Sequence, residues 1–143
     1  MKAVVTGLGR SGTHWLAQWW GIPHEPLGLS RETAYGLRDA SVDDVRAWVD
    51  RLPNACVDSH LRYAIPQLKQ CGVQVLWLWR TVADWTRSMQ ARVPERSLVA
   101  CLDEYADAQH LSARADGQLW LHQLAPFGPP PTNATEYPCG SVS

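Results

Sequence analysis

Two patterns of apolar residues take turns along this chain. Short, mostly apolar runs stand at Ala3 to Thr6 and at Val73 to Trp79, and Ala55-Cys56-Val57-Asp58-Ser59-His60 reads as a short second strand with a polar end. Runs that are apolar on both faces fit strands of a parallel sheet covered by helices on each side. Between them apolar residues recur at helical spacing: Leu16, Trp19 and Trp20, then Val45, Trp48, Val49 and Leu52. The first set predicts a helix over 13–20, stopped by Gly21-Ile22-Pro23; the second predicts one capped by Ser41 and ended by Pro53-Asn54. A helix over 62–70 with Pro66 near its first turn, and one from Thr81 or Val82 to about Ala91, come next. The last helix spans Ser97 to about Arg114, with Leu98, Cys101, Leu102, Tyr105 and Ala108 on one side. Asp116-Gly117 then turns the chain into a predicted fourth strand over 118–124. His24 to Ala40 shows neither pattern and reads as a long connection, a kind of segment that often carries function.

Alternating strands and helices predict an α/β fold in three layers: a mostly parallel central sheet of about four strands with helices on both faces. Residues 1–125 make a single domain on this reading, and the Pro-, Gly-, Thr- and Ser-rich stretch 126–143 an irregular tail. Open α/β sheets bind ligands beyond the carboxyl ends of their strands. The turn at 7–13, His60 and Arg80 all fall there.

Composition narrows the classes. The 143 residues, 45% hydrophobic and 19% charged, suit a globular domain that buries about two-thirds of its unfolded surface. A net charge of −1 argues against a general nucleic-acid binder. Lys2 and Lys69 are the only lysines, so the remaining positive charge is arginine, the residue suited to bidentate anion contacts. Met1-Lys2 runs straight into the first strand without a leader pattern, and no apolar run approaches a membrane span, so no membrane partner is expected. Cys56, Cys71, Cys101 and Cys139 have no metal-ligand spacing and read as reduced thiols of a cytoplasmic protein; the sequon Asn133-Ala134-Thr135 is then idle.

The chemistry concentrates in Val4-Val5-Thr6-Gly7-Leu8-Gly9-Arg10-Ser11-Gly12-Thr13-His14-Trp15. Here a strand passes through a glycine-rich turn into a helix whose first N–H groups lack intrahelical partners, the arrangement of an anion cradle. Glycines at 7, 9 and 12 are expected to make the turn, and Arg10 adds a full positive charge. The Gly7-x-x-x-x-Gly12 spacing is that of a P-loop, but Thr13-His14 replaces the Lys-Ser/Thr pair of a nucleotide kinase.

Arg10-Ser11-Gly12-Thr13-His14-Trp15 resembles the 5′-phosphosulfate-binding loop of the sulfotransferases, departing from it at His14. Arg80 at the end of an apolar strand, followed eight positions later by Ser88, resembles that family's 3′-phosphate segment. Asp58-Ser59-His60-Leu61 resembles its Lys-Thr-His-Leu segment, with Asp58 where the family commonly has lysine. The resemblance covers roughly residues 2–89. It implies a P-loop-type fold and 3′-phosphoadenosine 5′-phosphosulfate as sulfuryl donor, with a small-molecule or glycan acceptor and no metal. It assigns Arg10, Ser11, Gly12, Thr13 and His14 to the phosphosulfate, Trp15 to the adenine, and Arg80 and Ser88 to the 3′-phosphate. His60 is implied to be the general base for the acceptor, and His14 a donor to the transferring group. The family's later Arg-Lys-Gly segment has no match, and the chain is shorter than typical members. Three forms fit: a minimal enzyme, one completed by a partner or homodimer mate, or a relative that binds nucleotide without catalysis. A P-loop phosphotransferase with Asp58 holding a metal is the competing class.

Overall fold

The structure, a computed structural model, describes residues 1–124. The tail 126–143, with the sequon and Cys139, lies outside the described residues. Four strands form one all-parallel sheet: β1 (Ala3–Gly7), β2 (Ala55–Val57), β3 (Gln74–Trp79) and β4 (Gly117–Trp120), in the order β2-β1-β3-β4. Seven α-helices accompany them: α1 (Thr13–Trp20), α2 (Arg31–Gly36), α3 (Val42–Val49), α4 (Ile65–Gln70), α5 (Val82–Arg92), α6 (Leu98–Ser112) and α7 (Leu121–Leu124).

Alternation along the strands creates two cores, one on each face of the sheet. Val4, Cys56, Val75 and Trp77 point to the face covered by α3, α4, α5 and α6, where Val45, Leu68, Trp85 and Cys101 are buried. Val5, Val57 and Leu78 point to the opposite face, against Leu16 and Ala17 of α1 and Leu121 and Leu124 of α7. The expected three layers, a parallel sheet between two layers of helices, are therefore present. Each fully buried aliphatic or aromatic side chain contributes about 1.5–3 kcal/mol of transfer free energy. Trp77 and Trp85, both at 0% exposure, anchor the larger core.

Five local expectations are corrected. The strand expected over 55–60 ends at Val57, because the Asp58 side chain caps a 3₁₀ segment that takes up Ser59 and His60. The connection 24–40 contains α2 and a 3₁₀ turn at Leu37–Asp39, because Ser30 caps α2 through Thr33 N and Ala34 and Leu37 supply buried contacts. The helix expected over 62–70 is α4 alone, preceded by a 3₁₀ segment at Ser59–Ala64 that Asp58 caps. On α6 the buried positions are Cys101, Ala108 and Ser112, whereas Leu98 and Leu102 are exposed. The fourth strand stops at Trp120, and 121–124 turns into α7, which places Leu121 and Leu124 on the α1 face.

Gly7 is required by packing within the sheet. It sits in β1 opposite Leu78, and a Cβ there would come within 2.6 Å of the Leu78 carbonyl oxygen.

Candidate functional site

Strand order fixes where a ligand can enter. β2 lies on one side of β1 and β3 on the other; β1 leads to α1 on one face of the sheet, and β3 leads to α5 on the opposite face. The two connections diverge, and a crevice opens between the carboxyl ends of β1 and β3, the position at which open α/β sheets bind ligands.

The loop after β1 occupies this crevice. Its left-handed residues are Arg10, at φ 67°, and Gly12, at φ 96°; Gly9 is not among them. An arginine held there is strained by roughly 1–2 kcal/mol relative to ordinary backbone. Three contacts from the β3–α5 segment hold the loop in that shape. Trp85 Nε1 donates to Gly9 O at 2.7 Å, Arg80 Nη1 donates to Arg10 O at 3.1 Å, and Arg10 Nε donates to Ser88 Oγ at 3.2 Å. Asp84 forms its ion pair with Arg87, not with Arg80.

Beyond the loop, α1 begins at Gly12 with no side-chain cap and no acidic residue in its first turn. By contrast Ser30, Ser41, Thr81 and Ser97 cap α2, α3, α5 and α6. A cavity of about 160 Å³ lies at this helix start, walled by Arg10, Gly12, Thr13, His14, Arg80 and Ser88. Trp15 completes the wall, its ring stacked on Trp19 at 5.4 Å between centroids. Every predicted donor-site residue meets here except Ser11, which is buried and forms no part of the wall.

His60 sits within a cluster of ionisable groups that the sequence reading saw only in part. Its partner is Glu25, whose Oε2 is 3.8 Å from His60 Nδ1. Glu25 is held at φ 49°; its N–H donates to Val57 O, and its Oε1 accepts from Ser59 Oγ at 2.8 Å. Asp58, 1% exposed, accepts from His60 N through Oδ1, and its Oδ2 has no hydrogen-bond partner. Burial, reinforced by Glu25, pushes the Asp58 carboxyl up to about 7. Burial also lowers His60, against the pull of Glu25, and Arg62 and Arg31 lower it further. A His60 imidazole neutral at physiological pH follows, ready to accept a proton. His14 stacks on His24 at 3.8 Å, and burial together with His24 lowers it to about 4. A neutral His14 still has one N–H to donate. His24 is lowered chiefly by burial, and its Nε2 lies 3.2 Å from Thr13 Oγ1.

A second, larger cavity of about 650 Å³ opens on the far side of Arg10, and His60 lies in its wall. Its remaining walls come from α2, the Ser59–Ala64 segment, α5, the connection at 93–97 and α6, and they hold Arg31, Arg62, Arg92 and Arg96. None of these arginines, nor Glu25, stands in a motif of the sequence. The one available cue for Glu25 was its place in a patternless connection; the arginines are scattered and share no motif.

No helix among the described residues is long and apolar enough to cross a membrane. Cys56, Cys71 and Cys101 carry free thiols, and burial beside Asp58 pushes Cys56 up to about 12. No family model matches the chain, and no curated protein matches it. Among solved structures it is similar to the crystal structure of an uncharacterized protein from Eubacterium ventriosum. The TM-score is 0.46 at 10% identity, covering 85% of this chain and 88% of that one.

Proposed function

We propose that this protein transfers a sulfuryl group from 3′-phosphoadenosine 5′-phosphosulfate to the hydroxyl or amine of an acceptor. The observation that carries this reading is the junction of Arg10, Arg80 and Ser88 in front of an uncapped helix start. Two guanidiniums, a hydroxyl and orphan helix N–H groups on one small cavity suit an anionic nucleotide. Arg10 and the amides after it hold the 5′-phosphosulfate, and Arg80 and Ser88 the 3′-phosphate. Trp15 offers its ring to the adenine. The acceptor oxygen or nitrogen attacks sulfur as the bond from sulfur to the bridging phosphate oxygen breaks. His60 takes the acceptor's proton, Glu25 stabilises the resulting imidazolium, and adenosine 3′,5′-bisphosphate departs. His14 donates its N–H to the transferring group, a donor aimed at developing charge.

The test is calorimetric titration of the protein with adenosine 3′,5′-bisphosphate without metal, set against ATP with magnesium, followed by transfer assays on a panel of hydroxyl and amine acceptors. Binding of the bisphosphate in preference to ATP, with transfer to some acceptor, is expected. Bisphosphate binding without transfer, unaffected by His60→Ala, would reduce the protein to a nucleotide-binding module. Magnesium-dependent binding of ATP alone would overturn the reading.

One observation favours that last outcome. Glu25, Asp58 and His60 each offer a ligand atom, all within 4.8 Å of one another, and Asp58 Oδ2 is buried without a hydrogen bond. Oxygen and imidazole ligands at a strand end could hold a divalent cation for a phosphotransferase.

A further inference from the structure

The charge around the larger cavity differs from that of the chain as a whole. The protein carries a net charge of −1, yet five of its arginines, Arg10, Arg31, Arg62, Arg92 and Arg96, face this one space. Glu104 is the single carboxylate in the wall, and it is taken up in an ion pair with Arg96. Arg62 is the most telling of the five. It is 9% exposed; its Nη1 donates to Ser59 O at 2.7 Å, its Nη2 to Tyr63 OH at 3.0 Å, and its guanidinium lies 4.5 Å from the Tyr63 ring centre. No ion pair is formed on it among the described residues. Asp58 feels its charge without pairing with it directly, so part of the guanidinium's charge is left for an anion that enters through the cavity.

From this we infer that the acceptor is itself an anion: a small molecule bearing a carboxylate, phosphate or sulfate besides the hydroxyl or amine that is modified. The inference rests on the sulfuryl-transfer reading for the word acceptor, because His60 in the same wall is the base of that reading. It adds the charge and size of the substrate. A space of about 650 Å³ falls in the ordinary range for small-molecule sites. Tyr35 and Tyr63 in the wall, 5.4 Å apart and edge to face, present aromatic surface to a ring. Arginine forks recognise planar oxyanions in two-point contacts, and a cavity of one sign raises the local concentration of its counter-charge. His60 gains by the same arrangement, since Arg31 and Arg62 help to keep it neutral.

The test compares probes of like shape and different charge. The phenols 4-hydroxyphenylacetate and 4-ethylphenol, and the sugars glucose 6-phosphate and glucose, are titrated into the protein by calorimetry with adenosine 3′,5′-bisphosphate present at saturation. In at least one pair the anion is expected to bind about tenfold or more tightly than its neutral counterpart, the effect of one charge-assisted contact. The pair that shows it tells carboxylate from phosphate. The advantage should shrink as salt rises and disappear in Arg31→Gln/Arg92→Gln, a double variant at exposed positions. Equal binding of anion and neutral probe in both pairs would overturn the inference, as would an advantage that survives the double variant. The bisphosphate titration separates the two proposals. Bisphosphate binding without anion preference removes the inference alone, whereas anion preference lost in the double variant, without bisphosphate binding, leaves an anion site and removes the sulfuryl donor.

Discussion

The two cavities that meet at Arg10 are built in opposite ways. The smaller is made from backbone: a left-handed turn, a helix start and the end of a strand, tied by three hydrogen bonds to one neighbouring segment. The larger is made from side chains of several separate segments whose common property is their place in the fold. Backbone devices need particular residues at particular spacings, because only certain types turn tightly or leave a helix end open. A lining of arginines needs only charge in the right place, and several positions on several helices can supply it. The smaller cavity is thus fixed in shape, and the larger is fixed mainly in charge.

The sharpest way to probe this division is to remove the base that faces the larger cavity. His60→Ala is expected to cut transfer about 10²–10⁴-fold, the range for a positioned general base, with adenosine 3′,5′-bisphosphate affinity unchanged. Steady-state kinetics beside calorimetry checks it. A matching loss of bisphosphate affinity would mean that the two cavities form one binding site.

On the other side, Arg80→Ala removes a charge from the smaller cavity and the hydrogen bond to Arg10 O. Bisphosphate affinity should fall about 10- to 100-fold, in line with a lost bond to a charged group. Binding of 4-hydroxyphenylacetate and glucose 6-phosphate in the larger cavity, which Arg80 reaches only through Arg10, should fall far less. Calorimetry with both ligand types reads the two cavities separately, and equal losses in both would erase the distinction between them.

The same contrast decides what was legible in the residues. β1 and β3 were readable from their apolar runs, α1 from its apolar period and its stop at Gly21, and α3 and α5 from Ser41 and Thr81 at their starts. Arg10, Gly12, Thr13, His14, Trp15, Arg80 and Ser88 were readable as one site because the motif spacing survives folding: they do line one cavity. Ser11 was misplaced because a loop motif does not tell which side chains turn inward. Glu25 and Arg62 were invisible for another reason. Glu25 reaches His60 through a backbone bond from its N–H to Val57 O, and Arg62 is buried by tertiary packing that no local pattern announces. Residues 121–124 were read as strand because Leu119-Trp120-Leu121 runs on without a turn signal, although Leu121 and Leu124 stand at helical spacing.

A smaller effect is expected from the tie between loop and helix. Trp85→Phe keeps most of the buried ring but leaves Gly9 O without its donor. The lost bond and the unsatisfied carbonyl should cost about 1–3 kcal/mol. Thermal melting would then fall by roughly 2–4 °C per kcal/mol, with a modest loss of bisphosphate affinity. An unchanged melting temperature would show that the loop holds its shape without α5.

The smallest net effect is expected from pH, because groups near the two cavities oppose each other. His14, His24 and His60 are all lowered in the fold, so the unfolded chain binds more protons than the native one just below pH 6.5. Stability from these groups is complete above that pH and is lost as pH falls toward the folded values. Asp58 acts in the other direction. Its carboxyl, raised to about 7, holds a proton in the fold that the unfolded chain has released above about pH 4, so its contribution declines as pH rises toward 7. Glu25 tempers the histidines and reinforces Asp58. Three histidines against one carboxyl leave a net loss of stability between pH 6.5 and 5. Urea unfolding at pH 5 and pH 7 should show a lower midpoint at pH 5. His14→Gln should narrow the gap, because its imidazole is the most clearly lowered, and Asp58→Asn should widen it by removing the opposing group. A gap that Asp58→Asn leaves unchanged would mean that Asp58 is already ionised in the fold, and with that the metal-holding role of the Glu25, Asp58 and His60 cluster would become the stronger account of those three residues.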